Sequence, residues 1–192
     1  MKKFELTNNK KIDKWLNRVY YQIRCCTEFQ TIRGNIIKKG QLGGWVESEK
    51  NLSQDGCCWI DENAMVIGEA RVFENAYIFG NAKIEHQAEI HGNAQIYDNA
   101  KVYASTEVFG NVKIYGNSEV FARAKVYDNA KIFDCAFIGQ DVKIYGNAMI
   151  YEGARIFGEV IVCDNATVYG GVTLEDSRKI CGDTHIPNKS AF

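Results

Sequence analysis

One proline, Pro187, stands in 192 residues. A chain nearly free of proline, yet holding 17 glycines, reads as many short strands joined by tight turns. No stretch approaches the ~18–20 consecutive apolar residues that a membrane-spanning helix needs. Neither sign of charge is in excess: 23 Lys and Arg face 24 Asp and Glu, a net charge of -1. That balance gives no chain-wide attraction to nucleic acid or to an anionic membrane, and neither is expected as a partner. The opening stretch MKKFELTNNKK lacks the apolar core of a secretory signal. The seven cysteines, an odd number beside no export signal, therefore predict reduced thiols in a cytoplasmic protein.

What the chain has in abundance is a period of six. From Ile60, every sixth residue to Ile186 is aliphatic, 22 positions in all, with no insertion. Six matches neither the 3.6-residue turn of a helix nor plain strand alternation. Two residues ahead of each aliphatic sits a small residue, from Ala64 to Ala166, varied at Thr106, Val112, Ser118, Val142, Val160 and Val172 and broken at Arg178. In a unit such as Ala130-Lys131-Ile132-Phe133, alternate side chains share a face, so Ala130 and Ile132 point in while Lys131 and Phe133 point out. The two remaining residues are of the Gly-Asn, Asp-Asn or Glu-Asn type, which tolerates the left-handed backbone of a sharp corner. Four strand residues and a two-residue corner make one side of a triangular prism. Three sides make an 18-residue coil, and coils stacked at ~4.8 Å give a rod of about seven coils, ~34 Å long.

Residues 1–59 do not repeat. Phe4 to Thr7 and Val19 to Cys25 read as two strands, with Asn8 to Asp13 a polar connection and Val19, Tyr21, Ile23 and Cys25 on one face. An open solenoid end exposes unpaired backbone and apolar side chains, so this segment is expected to be a cap. The stretch Gly40-Gln41-Leu42-Gly43-Gly44-Trp45-Val46 supplies an abrupt turn into an incomplete first coil from about Val46. The domains read as a β cap at 1–59, the repeats at 60–186 and a tail at 187–192.

The pattern aliphatic-x-x-x-small-x is the hexapeptide repeat and resembles the left-handed parallel β-helix of the acyltransferase superfamily; the left hand is implied by that resemblance. The stretches 26–29, 40–47 and 51–60 further resemble the entry module of the YdcK family of transferase-like solenoids, often encoded by phages or prophages. That resemblance implies an all-β left-handed β-helix and carries over no catalytic residues.

Candidate chemistry is thin. His86-Gln87-Ala88-Glu89-Ile90-His91-Gly92 is similar to a segment that supplies two zinc ligands in γ-class carbonic anhydrases, but a third histidine is missing: Phe73 lies one coil before His91, and His185 lies more than five coils away. No metal and no cofactor are expected. His86 and His91, or else His185, are the candidate general bases if the chain were an acyltransferase using an acyl-CoA donor. Such enzymes extrude a loop that walls in the donor, and residues 60–186 extrude none. Cys163 and Cys181 stack 18 apart at a spacing that permits a disulfide, which a cytoplasmic setting disfavours. The vicinal pairs Cys25-Cys26 and Cys57-Cys58 lack metal spacing and read as small apolar packing.

The outward residues sort into three columns. One bears Phe79, Tyr97, Tyr115, Phe133, Tyr151 and Tyr169. A second bears Phe73, His91, Phe109, Tyr127 and Tyr145, and ends in a corner column of Asn75, Asn93, Asn111, Asn129, Asn147 and Asn165 whose amides can hydrogen-bond along the rod. The third, Ile67, Glu85, Tyr103, Phe121, Gly139, Phe157 and Glu175, is irregular. Lys113, Lys125, Lys131 and Lys143 interleave with the aromatics as in single-strand binding, but Glu89, Glu107 and Glu119 interrupt them. The first column is the expected binding surface. The chain therefore reads as a non-catalytic solenoid that acts by protein binding and self-association, with a host protein as a further partner; acyl transfer is the rival reading.

Overall fold

The computed structural model describes residues 2–187, so the expected tail lies outside the described residues apart from Pro187. The chain opens with a hairpin of β1 (Phe4–Asp13) and β2 (Arg18–Cys25), then a short hairpin of β3 (Phe29–Gln30) and β4 (Ile36–Ile37), then β5 (Leu42–Val46). From β6 (Trp59–Ile60) to β27 (His185–Ile186) it is a series of two-residue strands, each ending on an aliphatic of the six-residue period. It is an all-β parallel solenoid. Every third strand pairs in parallel with the next: Ile96 lies beside Ile78 and Ile114, and Ile114 beside Ile132. The backbone ladder is regular, as in Gln95 N–H to Val112 O at 2.9 Å and Tyr97 N–H to Ile114 O at 3.0 Å.

The paired stretch is two residues long rather than the four expected. The backbone bends early: the second residue after each aliphatic, from Glu62 to Gly182, is in the left-handed region at every corner except Asp176. That exception falls where Arg178 replaces the small inward residue and turns out to pair with Asp176. Elsewhere the inward columns are sealed, with Ala94, Ile96, Val112, Ile114, Ala130 and Ile132 all at 0% exposure. Thr106 and Ser118 replace the inward alanine without penalty because their hydroxyls donate to Tyr103 O and Tyr115 O.

The three faces differ in how they begin. One runs β1-β2-β5 and then eight parallel rungs in all from β5, so the antiparallel cap hairpin continues the sheet; a second has eight rungs from β6; a third has seven, extended by a bridge from Leu52 to Val72. Below they are the hairpin face, the tyrosine face and the histidine face. This gives about eight turns. The extra turn begins at β5, inside the segment assigned above to the cap. It is 20 residues long where the others are 18, since Val46 pairs with Val66 and Leu52 with Val72, but Ile60 with Ile78. The two extra residues lie between Leu52 and Ile60. There the Lys3 ammonium is buried, donating to Asp55 O and Gly56 O and contacting Cys58 Sγ at 3.1 Å. Phe4, Ile23 and Ile37 close the apolar end of the column, each contributing ~1.5–3 kcal/mol as an upper estimate.

Gly44 takes the place of the inward alanine in this first turn. A Cβ there would lie 2.5 Å from Ala64 O, so only glycine lets the cap strand sit on the coil. Two details of the cap differ from expectation. β1 runs on to Asp13 past a bulge between Leu6 and Lys10, so Asn8 to Asp13 is strand and not a connection. The buried tyrosine of β2 is Tyr20 rather than Tyr21, because the β2–β5 register shifts between Gln22 and Arg24 and breaks the alternation.

Candidate interaction surface

On the tyrosine face each ring follows its aliphatic and points outward, and its counterpart one coil on lies directly above it. Phe79, Tyr97, Tyr115, Phe133, Tyr151 and Tyr169 stack with ring centroids 4.7–5.1 Å apart and planes within 8° of parallel. The spacing is that of the coils themselves, so the backbone dictates the stack. A consequence the sequence did not reveal is that each ring covers its neighbours' faces. All six are half-buried and present only their edges, which makes the stripe less exposed than expected. The gaps also leave no room for a nucleobase, which needs roughly 6.8 Å between rings, twice the rise of stacked bases. Burial pushes the phenols of Tyr97, Tyr115 and Tyr151 upward, so they stay neutral.

The chain itself covers the first rungs of this face. The β3–β4 hairpin folds across Trp59 and Tyr77, which are 0% and 2% exposed. Phe29 meets Trp59 edge-on at 5.6 Å, the Arg33 guanidinium lies over Phe79 at 4.4 Å, and the Tyr77 hydroxyl donates to Asp61 at 2.8 Å. From Tyr97 to Tyr169 the column continues uncovered, flanked by Gln95, Lys113, Lys131, Met149 and Thr167.

The histidine face carries a parallel stack. His91 lies between Phe73 and Phe109, at 4.6 and 5.1 Å, with Glu74 and Glu107 carboxylates 3.7 and 3.8 Å from its two nitrogens. His86 is a corner residue with φ 62°, beside Tyr103. The structure therefore gives each histidine a place in the repeat and does not bring the two into one constellation. A groove of about 940 Å³ lies between the 48–54 segment and Arg71, Phe73 and Glu89, and neither His86 nor His91 lines it.

The cysteines hold one correction. Cys163 and Cys181 continue the histidine-face column past Tyr145 and are joined as a disulfide, with Cα atoms 4.6 Å apart. Their expected reduced state fails because stacking on adjacent rungs puts the two sulfurs in contact. Asp164 lies with them, but both sulfurs are spent on each other. Burial pushes the Cys25 and Cys58 thiols up, so neither is a poised nucleophile.

On the hairpin face Tyr103 stacks on Phe121, whose ring then leans over Gly139 towards Phe137 and Phe157. A Cβ at Gly139 would lie 2.5 Å from that ring, so the glycine makes the notch that the ring fills. The asparagine column forms as expected, Asn75 to Asn165, at 3.0–3.3 Å per amide bond. A second one, Asn63-Asn81-Asn99-Asn117, runs along another corner.

The large hydrophobics left exposed among the described residues are Ile12, Trp15, Leu16, Ile32, Ile36 and Leu42, all in the cap and outside every column singled out from the sequence. The signal available was the apolar Ile12, Trp15 and Leu16 amid Lys10, Lys11, Lys14 and Arg18.

No helix is long and apolar enough to cross a membrane among the described residues. None of the curated proteins compared with the chain matches it. Residues 94–110 match the family model described as the YdcK beta solenoid repeat, a match that falls in the coils rather than in the entry stretches, and the chain is a β-solenoid.

Proposed function

We propose that the chain is a non-catalytic solenoid that works by binding protein, first of all a second copy of itself, through the tyrosine face. One observation carries this reading: the chain already docks its own β3–β4 hairpin on the first rungs of that face, through the Phe29 ring edge on Trp59, the Arg33 guanidinium over Phe79 and the Asn35 amide donating to the Tyr77 hydroxyl at 3.4 Å. The same groups are repeated, uncovered, from Tyr97 to Tyr169. Flat rungs that present aromatic ring edges suit packing against another sheet surface. Within this reading the chain acts in the cytoplasm, and its phage-linked family resemblance supports one specific version, a phage or prophage protein that blocks a host factor such as a defence protein.

Tyr115→Lys with Phe133→Lys puts two further cations on the uncovered rungs. Light scattering of the variant is expected to give a smaller particle than the parent; an unchanged mass removes this face as the contact. Acetyl-CoA tests the rival acyltransferase. The present reading expects no thermal shift on titration, and clear stabilisation would favour the enzyme.

A further inference from the structure

The tip of the β1–β2 hairpin carries the three most exposed large hydrophobics among the described residues. Trp15 is 99% exposed, Ile12 66% and Leu16 59%. The turn that presents them is fastened: Asp13 Oδ1 accepts from Trp15 N–H and Leu16 N–H, both at 3.0 Å, and Asn17 takes the left-handed conformation. The hairpin is paired out to Asp13 and Arg18, beyond Tyr21 and Val46, the last pair that joins it to β5. Around this tip stand Lys10, Lys11, Lys14 and Arg18. Arg18 reaches Glu47, while the three lysines form no ion pair among the described residues. Lys10 and Lys11 instead lie over the Tyr21 and Trp45 rings at 5.3 and 4.1 Å. The net charge of -1 for the whole chain conceals this local excess of positive charge.

We propose that this hairpin tip is an interfacial anchor that inserts Trp15, Leu16 and Ile12 into the headgroup layer of an anionic bilayer while Lys10, Lys11 and Lys14 meet the lipid phosphates. The chemistry fits on three counts. Tryptophan favours the membrane–water interface, long lysine stems keep their ammonium at headgroup level, and a basic collar answers a negative surface. Beside the tip runs only a wide, shallow groove of about 520 Å³, lined by Lys11, Ile12, Lys14, Trp15, Tyr20 and Met65, and the Trp15 ring stands almost wholly in solvent rather than in it. The tip lies on the surface and spans nothing. It belongs to the cap and is independent of the tyrosine-face contact.

Flotation of the intact protein with mixed phosphatidylcholine–phosphatidylglycerol vesicles, against pure phosphatidylcholine, tests this. Expected are binding to the anionic vesicles alone, weakening with salt, and a blue shift of tryptophan emission that disappears in Trp15→Ser. Lys10→Glu, Lys11→Glu and Lys14→Glu together should weaken binding on the order of a hundredfold or more, from the contribution of each basic group at an anionic surface. These positions are exposed, and far-UV circular dichroism checks that the variants keep their fold. Equal binding to neutral vesicles, or anionic binding that survives both variants, overturns the proposal. So does the absence of any vesicle binding, which would leave an acid-rimmed protein pocket as the occupant of the tip.

Discussion

Ile114 stands at the centre of the tyrosine-face interior, fully buried, between Ile96 on one rung and Ile132 on the next. Replacing it with alanine removes three carbons from a column that cannot close around the gap. The rungs are held at fixed spacing by backbone bonds on both sides of the residue, Lys113 N–H to Ala130 O and Tyr115 N–H to Ile132 O, each at 3.0 Å. Ile→Ala in a core costs about 2–5 kcal/mol, rising with the cavity left behind, so the rigid site points to about 4 kcal/mol. Ile180 offers the contrast. It is 6% exposed and pairs on one side only, with Val162, in the last coil. Ile180→Ala is expected at about 2 kcal/mol, the bottom of the same range. A solenoid's stability is a sum of units and nearest-neighbour interfaces, so the central lesion should lower the whole transition while the terminal one frays the last coil. Urea unfolding followed by circular dichroism should move the midpoint by about 2 M for Ile114→Ala, taking a slope of ~2 kcal/mol/M. Equal midpoint shifts for the two variants, or a central loss under about 1 kcal/mol, would refute the stacked-column account.

The Cys163–Cys181 disulfide spans a sequence separation of 18 and should be worth about 3 kcal/mol on the chain-entropy model. Reduction, or Cys163→Ser, is expected to speed amide exchange in residues 171–186 and leave the central coils unchanged; uniform exchange along the rod would contradict this. Thiol counting on protein taken from cells is expected to give five free cysteines, and a count of seven would refute the closed pair. Tyr103 is pushed up to about 12 by burial, with the charge of Glu119 and its hydrogen bond adding to the effect. A proton held more tightly in the folded state stabilises it fully below the ordinary phenol value, and that stability is lost as pH rises through the raised one. Stability should therefore fall between pH 10 and about 12, and Tyr103→Phe should flatten part of that fall. An unchanged slope in the variant would count against the Tyr103–Glu119 contact.

Much of the fold was legible because the repeat is local. An aliphatic every six residues, a small residue two before it and a corner that accepts the left-handed backbone describe one side of the prism without reference to anything distant. The coil stacking, the asparagine column and the vertical register of the rings follow from adding 18. Legibility stopped where segments meet out of register. Tyr20 replaced Tyr21 in the core because of a bulge, and β1 ran through polar residues because β2 supplied the partner strand. The exposure of the binding face was likewise hidden: stacking shields the rings, and the β3–β4 hairpin covers Trp59 and Tyr77.

Residue spacing alone thus determined that this protein is a three-sided solenoid with aromatic columns, because a constant period constrains every rung in the same way. Only the tertiary structure decided which part of a column is open and that Trp15 is thrust into solvent. Those outcomes depend on where the non-repeating cap comes to rest, and no periodic rule reaches them.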